Sequence, residues 1–275
     1  MPRSGPISLG LPPFAGITRK IILANLAVFF ALALLGWLSP GIFLFLRIHL
    51  LLEPLAVARG EVWQLFTYSF LNDGILSILF GMLTLWFTGS LLEGSYGPRW
   101  VGELYAASVI GGAAIASAIS FTHVLHLRPD VAAVGAWAGI FGLMVGIAMR
   151  FGDQEFLLWF VLRIKAKYMV TIYILIAVAI LLKNNNAFDA LLQLAGALSG
   201  FLYVQFAPRR GLAFGMGEQY FGLRNNYYRW KRRRAARKFE VYMRKQNREV
   251  HFDQDGRYVD PDDLRKNPDD KRYMN

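Results

Sequence analysis

The chain has 275 residues, 55% of them hydrophobic, and a formal net charge of +11. A soluble domain could be this long, but it would not carry repeated uncharged runs of the ~20 residues that a helix needs to cross a bilayer core. There are no cysteines, which excludes disulfides, thiolate nucleophiles and cysteine-bound metal.

Six runs are apolar enough to span, at 21–38, 75–92, 101–121, 132–149, 168–182 and 189–206. Residues 1–16 are rich in Pro and Gly and read as a short surface segment. The first run follows Arg19-Lys20 and lacks a small-x-small cleavage site, so it reads as an anchor rather than a signal peptide. Residues 39–74 are too apolar for a solvated loop, yet they carry Arg47, His49, Glu53, Arg59 and Glu61. They fit an interfacial, partly re-entrant helix with its apolar side in lipid, or a loop packed over the bundle. Lys and Arg gather on one side of the spans: Arg3, Arg19 and Lys20, then Arg99, then Arg150, Arg163, Lys165 and Lys167, then Arg209 and Arg210. The other side has Arg47, Arg59, Arg128 and Lys183. This asymmetry predicts an all-α polytopic protein of six spans with both termini cytoplasmic.

The tail, 207–275, holds 18 Lys/Arg against 10 Asp/Glu. Within 224–248, 11 basic residues face one acid, Glu240, and the run includes Arg229, Lys231, Arg232, Arg233, Arg234, Arg237 and Lys238. Tyr227, Tyr228, Trp230, Phe239 and Tyr242 are interleaved with them. Such a stretch suits a basic helix lying on anionic lipid, each cation near the surface contributing about 1 kcal/mol. Basic-aromatic stretches also bind RNA or the ribosome. From Asp253 the chain is polar and broken by Asp-Pro and Asn-Pro, the composition of a disordered end.

Glycines recur at helical spacing in the fourth run, at Gly135, Gly139, Gly142 and Gly146, giving a face that lets backbones approach closely. Gly135-Ala136-Trp137-Ala138-Gly139 resembles the active-site helix of rhomboid intramembrane serine proteases. Other stretches carry the same likeness in order. Gly60-Glu61-Val62-Trp63-Gln64 and the residues up to Leu71 resemble the family's first loop. Trp86-Phe87-Thr88-Gly89-Ser90-Leu91-Leu92-Glu93 with Arg99 resembles its W-x-x-G-x-x-L-E and G-x-x-R turn. Arg163 to Tyr168 resembles the basic turn before span five, and Gly196-x-x-x-Gly200 the last span. The likeness covers 17–206 and implies a six-helix rhomboid-like membrane domain, with Gly135, Gly139, Gly142, Gly196, Gly200, Trp63, Glu93 and Arg99 as scaffold.

The family's mechanism needs a serine at the top of span four and a histidine in span six to take its proton, since a hydroxyl is a weak nucleophile without a base. In this register the serine position is Trp137 and the histidine position Gln193. The oxyanion positions read Ser77 and Gly81, the histidine after the Phe-Leu pair is Asn72, and the arginine of the first loop is Gln64. No serine lies between Ser120 and Ser199, and His49, His123, His126 and His251 are all outside the spans. His123 and His126 are spaced as two ligands on one helical turn would be, with no third, so neither a metal nor another cofactor is expected.

The resemblance therefore implies a non-catalytic pseudoprotease that binds transmembrane segments of client proteins, as derlins and inactive rhomboids are within the superfamily. The alternative is an active intramembrane serine endopeptidase with a rewired site. Transport would need intramembrane charges, and only Glu103 and Asp189 approach that description. A bacterial plasma membrane is the expected location. The indole of Trp137 is expected to fill the volume of the lost dyad and to donate to Gln193, in which case Trp137→Phe would destabilise the protein more than Trp100→Phe. A Trp137 pointing to the membrane interface is the other reading.

Overall fold

The computed structural model describes residues 12–122, 127–158, 162–183, 187–207, 212–245, 250–252 and 258–259. His123, His126, nearly all of the N-terminal segment and most of the chain beyond Asp253 lie outside the described residues, so the expectations made there stay as they were.

The chain is nearly all helical. The helices are α1 (Gly16–Leu38), α2 (Pro40–Leu50), α3 (Pro54–Ala58), α4 (Gln64–Thr67), α5 (Ile75–Tyr96), α6 (Pro98–Ser120), α7 (Trp137–Phe151), α8 (Ala166–Lys183), α9 (Ala187–Phe206) and α10 (Leu212–Lys245). Two two-stranded hairpins complete it, β1 (Glu155–Leu158) with β2 (Leu162–Lys165), and β3 (His251–Phe252) with β4 (Tyr258–Val259). Two compact units result, Met1–Leu212 and Ala213–Asn275.

Five helices among the described residues, α1, α5, α6, α8 and α9, are long and apolar enough to cross a membrane. The fourth run departs from the expected span. Its helix begins at Trp137 rather than at 132 and has 15 residues, about 22 Å at 1.5 Å per residue. The reason is local. Gly135 adopts φ 115°, a conformation open to glycine and costly for other residues. Ala133 pairs with Leu52 in an antiparallel bridge, so this backbone is committed to extended pairing before the helix starts. A short helix suits its position, because ten consecutive residues, Ala138–Ile147, are buried within the protein.

The core forms where α6, α7 and α9 meet, the most extensively packed helices of the unit. Glycines set their approach. A Cβ on Gly196 would meet the Ala138 backbone, with Cα at 2.8 Å, and one on Gly200 would lie 2.6 Å from Gly142 Cα. Matching steps of four make α7 and α9 parallel. Gly112 faces Gly196, with Cα at 2.8 Å from such a Cβ, while Ser108 lies against Gly142 and Gly200, so α6 runs antiparallel to both.

The first loop is not one helix but three short ones followed by a 3-10 turn, Tyr68–Phe70. Pro40 and Pro54 each begin a helix, and Gly60, at φ 113°, turns the chain before Trp63. No residue of α2 is buried and Ile42, Leu44, Phe45 and Ile48 are exposed, which leaves this helix apolar on its outside.

The end of α5 holds the start of α1. Glu93 Oε1 accepts from the Ile17 N–H at 2.8 Å, and Oε2 from the Thr18 N–H at 3.2 Å and the Thr18 hydroxyl at 2.7 Å. The carboxylate so satisfies N–H groups that have no partner inside α1, and its charge complements the positive helix end. Between α7 and α8, Asp153 bonds Lys167 at 2.7 Å beside the β1–β2 hairpin, which holds the exposed carboxyl below its usual pKa. In the second unit the rings of Phe239, Phe252 and Tyr258 pack edge to face between α10 and the β3–β4 hairpin.

Candidate functional site

Trp137 opens α7, half-buried against the core, with Cδ1 3.6 Å from where a Gly135 Cβ would stand, so its ring lies back over Gly135. Gln193 is half-buried on α9, three residues before Gly196. Because Gly196 packs on Ala138 and the helices are parallel, Gln193 stands level with the beginning of α7. The expected hydrogen bond between them is not formed: neither the Trp137 indole nor the Gln193 amide has a hydrogen-bond partner among the described residues. An indole folded over the preceding glycine is not directed at α9, and a half-buried amide can turn to water instead.

Gly81 of α5 is buried opposite Ile140 of α7, whose Cδ1 would lie 4.0 Å from a Cβ at Gly81. Ser77, one turn earlier on the same face, is half-buried and forms no hydrogen bond among the described residues. The four positions that the sequence pairs with nucleophile, base and oxyanion donors thus sit on α7, α9 and α5, around the start of α7. The serines that do hydrogen-bond here, Ser69, Ser108, Ser120 and Ser199, all donate to backbone carbonyls three or four residues back. His49 faces Glu61, at 3.2 Å, in the first loop.

Gly139 packs against the Tyr105 ring, and Gly142 against Ser108. Trp63 is half-exposed, and its indole donates to the His49 carbonyl at 2.8 Å. Arg99 is exposed at the start of α6. Lys231, Arg232, Arg234, Arg237 and Lys238 are exposed on α10, as are Arg229 and Arg233, and Arg234 lies over the Trp230 ring at 5.4 Å.

Several positioning residues had no signal in the sequence. Gln64 is fully buried. Its Oε1 accepts from the Glu53 N–H at 3.0 Å, and its Nε2 donates to Glu61 Oε2 at 2.8 Å and the Ile48 carbonyl at 3.4 Å. Gln64 is thus the hub of the first loop. Leu52 exchanges both backbone hydrogen bonds with Ala133, Leu55 N–H donates to Pro129, and Gly135 N–H donates to the Tyr68 carbonyl at 3.0 Å. Tyr68 then donates from its hydroxyl to the Val109 carbonyl of α6 at 3.0 Å. Burial, with Tyr105 beside it, raises the Tyr68 pKa well above its ordinary value, so it remains a neutral donor. Asn72 donates to Asn25 Oδ1 at 3.3 Å, and the fully buried Asn25 donates to the Ile21 carbonyl, tying α1 to the start of α5. Most of these partners, such as Asn25 for Asn72, Val109 for Tyr68 and Ala133 for Leu52, lie far off in sequence, where periodicity carries no information.

The Rhomboid domain family model matches residues 59–210, more than half of the chain, including α5, α7 and α9. The chain belongs to the rhomboid family. RHOMBOID-like protein 4 of Arabidopsis thaliana is 31% identical over 152 residues, 55% of this chain and 36% of that protein. RHOMBOID-like protein 1 of the same plant is 30% identical over 174 residues, 62% of this chain and 40% of that protein. Rhomboid protease GluP of Bacillus subtilis (strain 168) is 34% identical over 97 residues, 35% of this chain and 18% of that protein. This rhomboid therefore spans well under half the length of the relatives it matches. With its apolar helices, membership makes it an integral membrane protein. The matched residues include the glycines of α7 and α9 and the Trp137 and Gln193 positions between which they pack.

Proposed function

We propose that this rhomboid is a non-catalytic member that binds transmembrane segments of client proteins. The observation that supports the reading is the pairing of α7 and α9 through Gly196 and Gly200, which brings to one level Trp137 and Gln193, the residues that the sequence resemblance aligns with the family's serine and histidine. An indole carbon frame offers no nucleophile for acyl transfer, and an amide is no base near neutral pH. The Ser77 hydroxyl on α5 lacks a histidine partner among the described residues, and the bonded serines are occupied by backbone carbonyls.

Client binding is supported by the arrangement of the outer helices. α7 packs against both α5 and α8, whereas α5 and α8 share no substantial contact. A client helix would enter by parting two elements that hold each other little. α8 presents Ile172, Leu175, Ile176 and Ile180 outward, and α5 presents Leu76 and Phe80, apolar surface for such a segment. The bacterial plasma membrane remains our proposed location, on the likeness to the Bacillus protein, alongside plant relatives.

An active endopeptidase with a rewired site is the competing reading, favoured by the similarity to a protein named a protease. Proteoliposomes holding a generic rhomboid substrate and photocrosslinkers on α5 and α8 separate the two. We expect crosslinked substrate without product. Product that disappears in Ser77→Ala or Ser199→Ala would establish the enzyme instead.

A further inference from the structure

A second feature lies away from the α7–α9 site. α1 and α5 enclose a groove of ≈ 710 Å³ between them, lined by Ile22, Leu26, Phe29 and Phe30 on one side and by Ile78, Met82 and Trp86 among others on the second. Its walls carry essentially no polar surface. Along α1 it runs from Ile22 to Phe30, about 12 Å at 1.5 Å per residue. That is close to half the ~30 Å core of a bilayer, the depth of one leaflet. These residues also form the first half of the apolar run that begins after Lys20.

Beyond its Trp86 end stand an exposed cation, Arg19, and the Glu93 carboxylate, whose oxygens are taken up by the Ile17 and Thr18 N–H groups and the Thr18 hydroxyl. Arg19 precedes Ile22 by three residues and Leu26 by seven, which sets it on the same face of α1 one turn before the groove, whose Trp86 end is lined by Phe14 with its ring 6.3 Å from that of Trp86. The Arg19 side chain is exposed and has no hydrogen bond or ion pair among the described residues. Lys20, the next residue, points about 100° round the helix and away from the groove. At the other end, Phe30 and Ile75 are exposed and apolar. An apolar slot one leaflet deep with an unpaired guanidinium one turn beyond one end matches a molecule with a long chain and an anionic head.

We propose that this groove is a binding site for an anionic phospholipid, with one acyl chain along Ile22–Phe30 and the phosphate-bearing head held by Arg19. Guanidinium suits this task because its planar fork bonds phosphate oxygens in pairs.

Trp86 in the groove wall serves as the reporter. The full chain is reconstituted with phosphatidylglycerol or phosphatidylcholine brominated on the acyl chain, and the Trp86 component of quenching is isolated by difference from Trp86→Phe. We expect that component to prefer the anionic lipid about fivefold, the factor that one surface cation of about 1 kcal/mol contributes. The preference should vanish in Arg19→Gln and persist in Lys20→Gln. Equal quenching by both lipids would mean ordinary boundary lipid and overturn the proposal. So would a preference that survives Arg19→Gln. Absence of quenching from either lipid would mean that the groove holds something other than an acyl chain, a protein segment included, and would overturn it too.

Discussion

Gly196 and Gly200 show how little space separates the helices that build the site. A methyl group on Gly196 would overlap the Ala138 backbone, which cannot move aside as a flexible side chain can. Gly196→Ala is therefore expected to lower stability by about 1–3 kcal/mol, the range for overpacking a tight contact. Gly94→Ala is the control, since nothing lies within 4 Å of its added Cβ. Thermal unfolding of both variants in one detergent measures the difference. The tryptophans follow from burial in the same way. Trp100 is 1% exposed and stacked on Tyr96 at 4.6 Å, whereas Trp137 is half-buried; neither indole N–H has a hydrogen-bond partner among the described residues. The structure thus reverses the expected order: Trp100→Phe should lower the melting temperature more than Trp137→Phe, and Trp100→Ala should cost about 3–5 kcal/mol. Which tryptophan lies deep was not legible, because both sit at helix starts, the buried one beside the charged Arg99, and burial depends on neighbours from other helices.

Among the elements, α7 and α9 were the most legible, since glycines at helical spacing mark a close face whatever it packs against. Their partner was not legible. Gly111, Gly112, Ala113 and Ala114 make several faces of α6 equally small, and only the tertiary register selects Gly112 for Gly196. The β1–β2 hairpin escaped for a different reason. Four-residue strands such as Glu155-Phe156-Leu157-Leu158 are too short to establish an alternation beside long apolar helices. Glu93 was legible as part of a motif, but its work on α1 depends on Ile17 and Thr18, which lie about 75 residues earlier. Glu93→Gln should keep the shape while removing the charge from the helix end, and lower stability by about 1 kcal/mol. Faster hydrogen exchange confined to the first turn of α1 would show that the loss is local to that helix.

For the whole molecule, the chain belongs to the rhomboid family, and our proposal is that its scaffold serves without the family's chemistry. The glycine contacts, the Glu93 cap and the loop bonds through Gln64 each hold a helix or a loop in position, and each is independent of a reacting group. Such a framework can persist for binding alone. That inference turns on whether any side chain in the folded protein is an activated nucleophile. The direct test is labelling of the reconstituted protein with a fluorophosphonate, which marks activated serines covalently, followed by mass mapping. We expect no labelled serine in the wild-type protein. A stoichiometric adduct on Ser77, Ser199 or any other serine, abolished by its alanine substitution, would contradict the non-catalytic assignment.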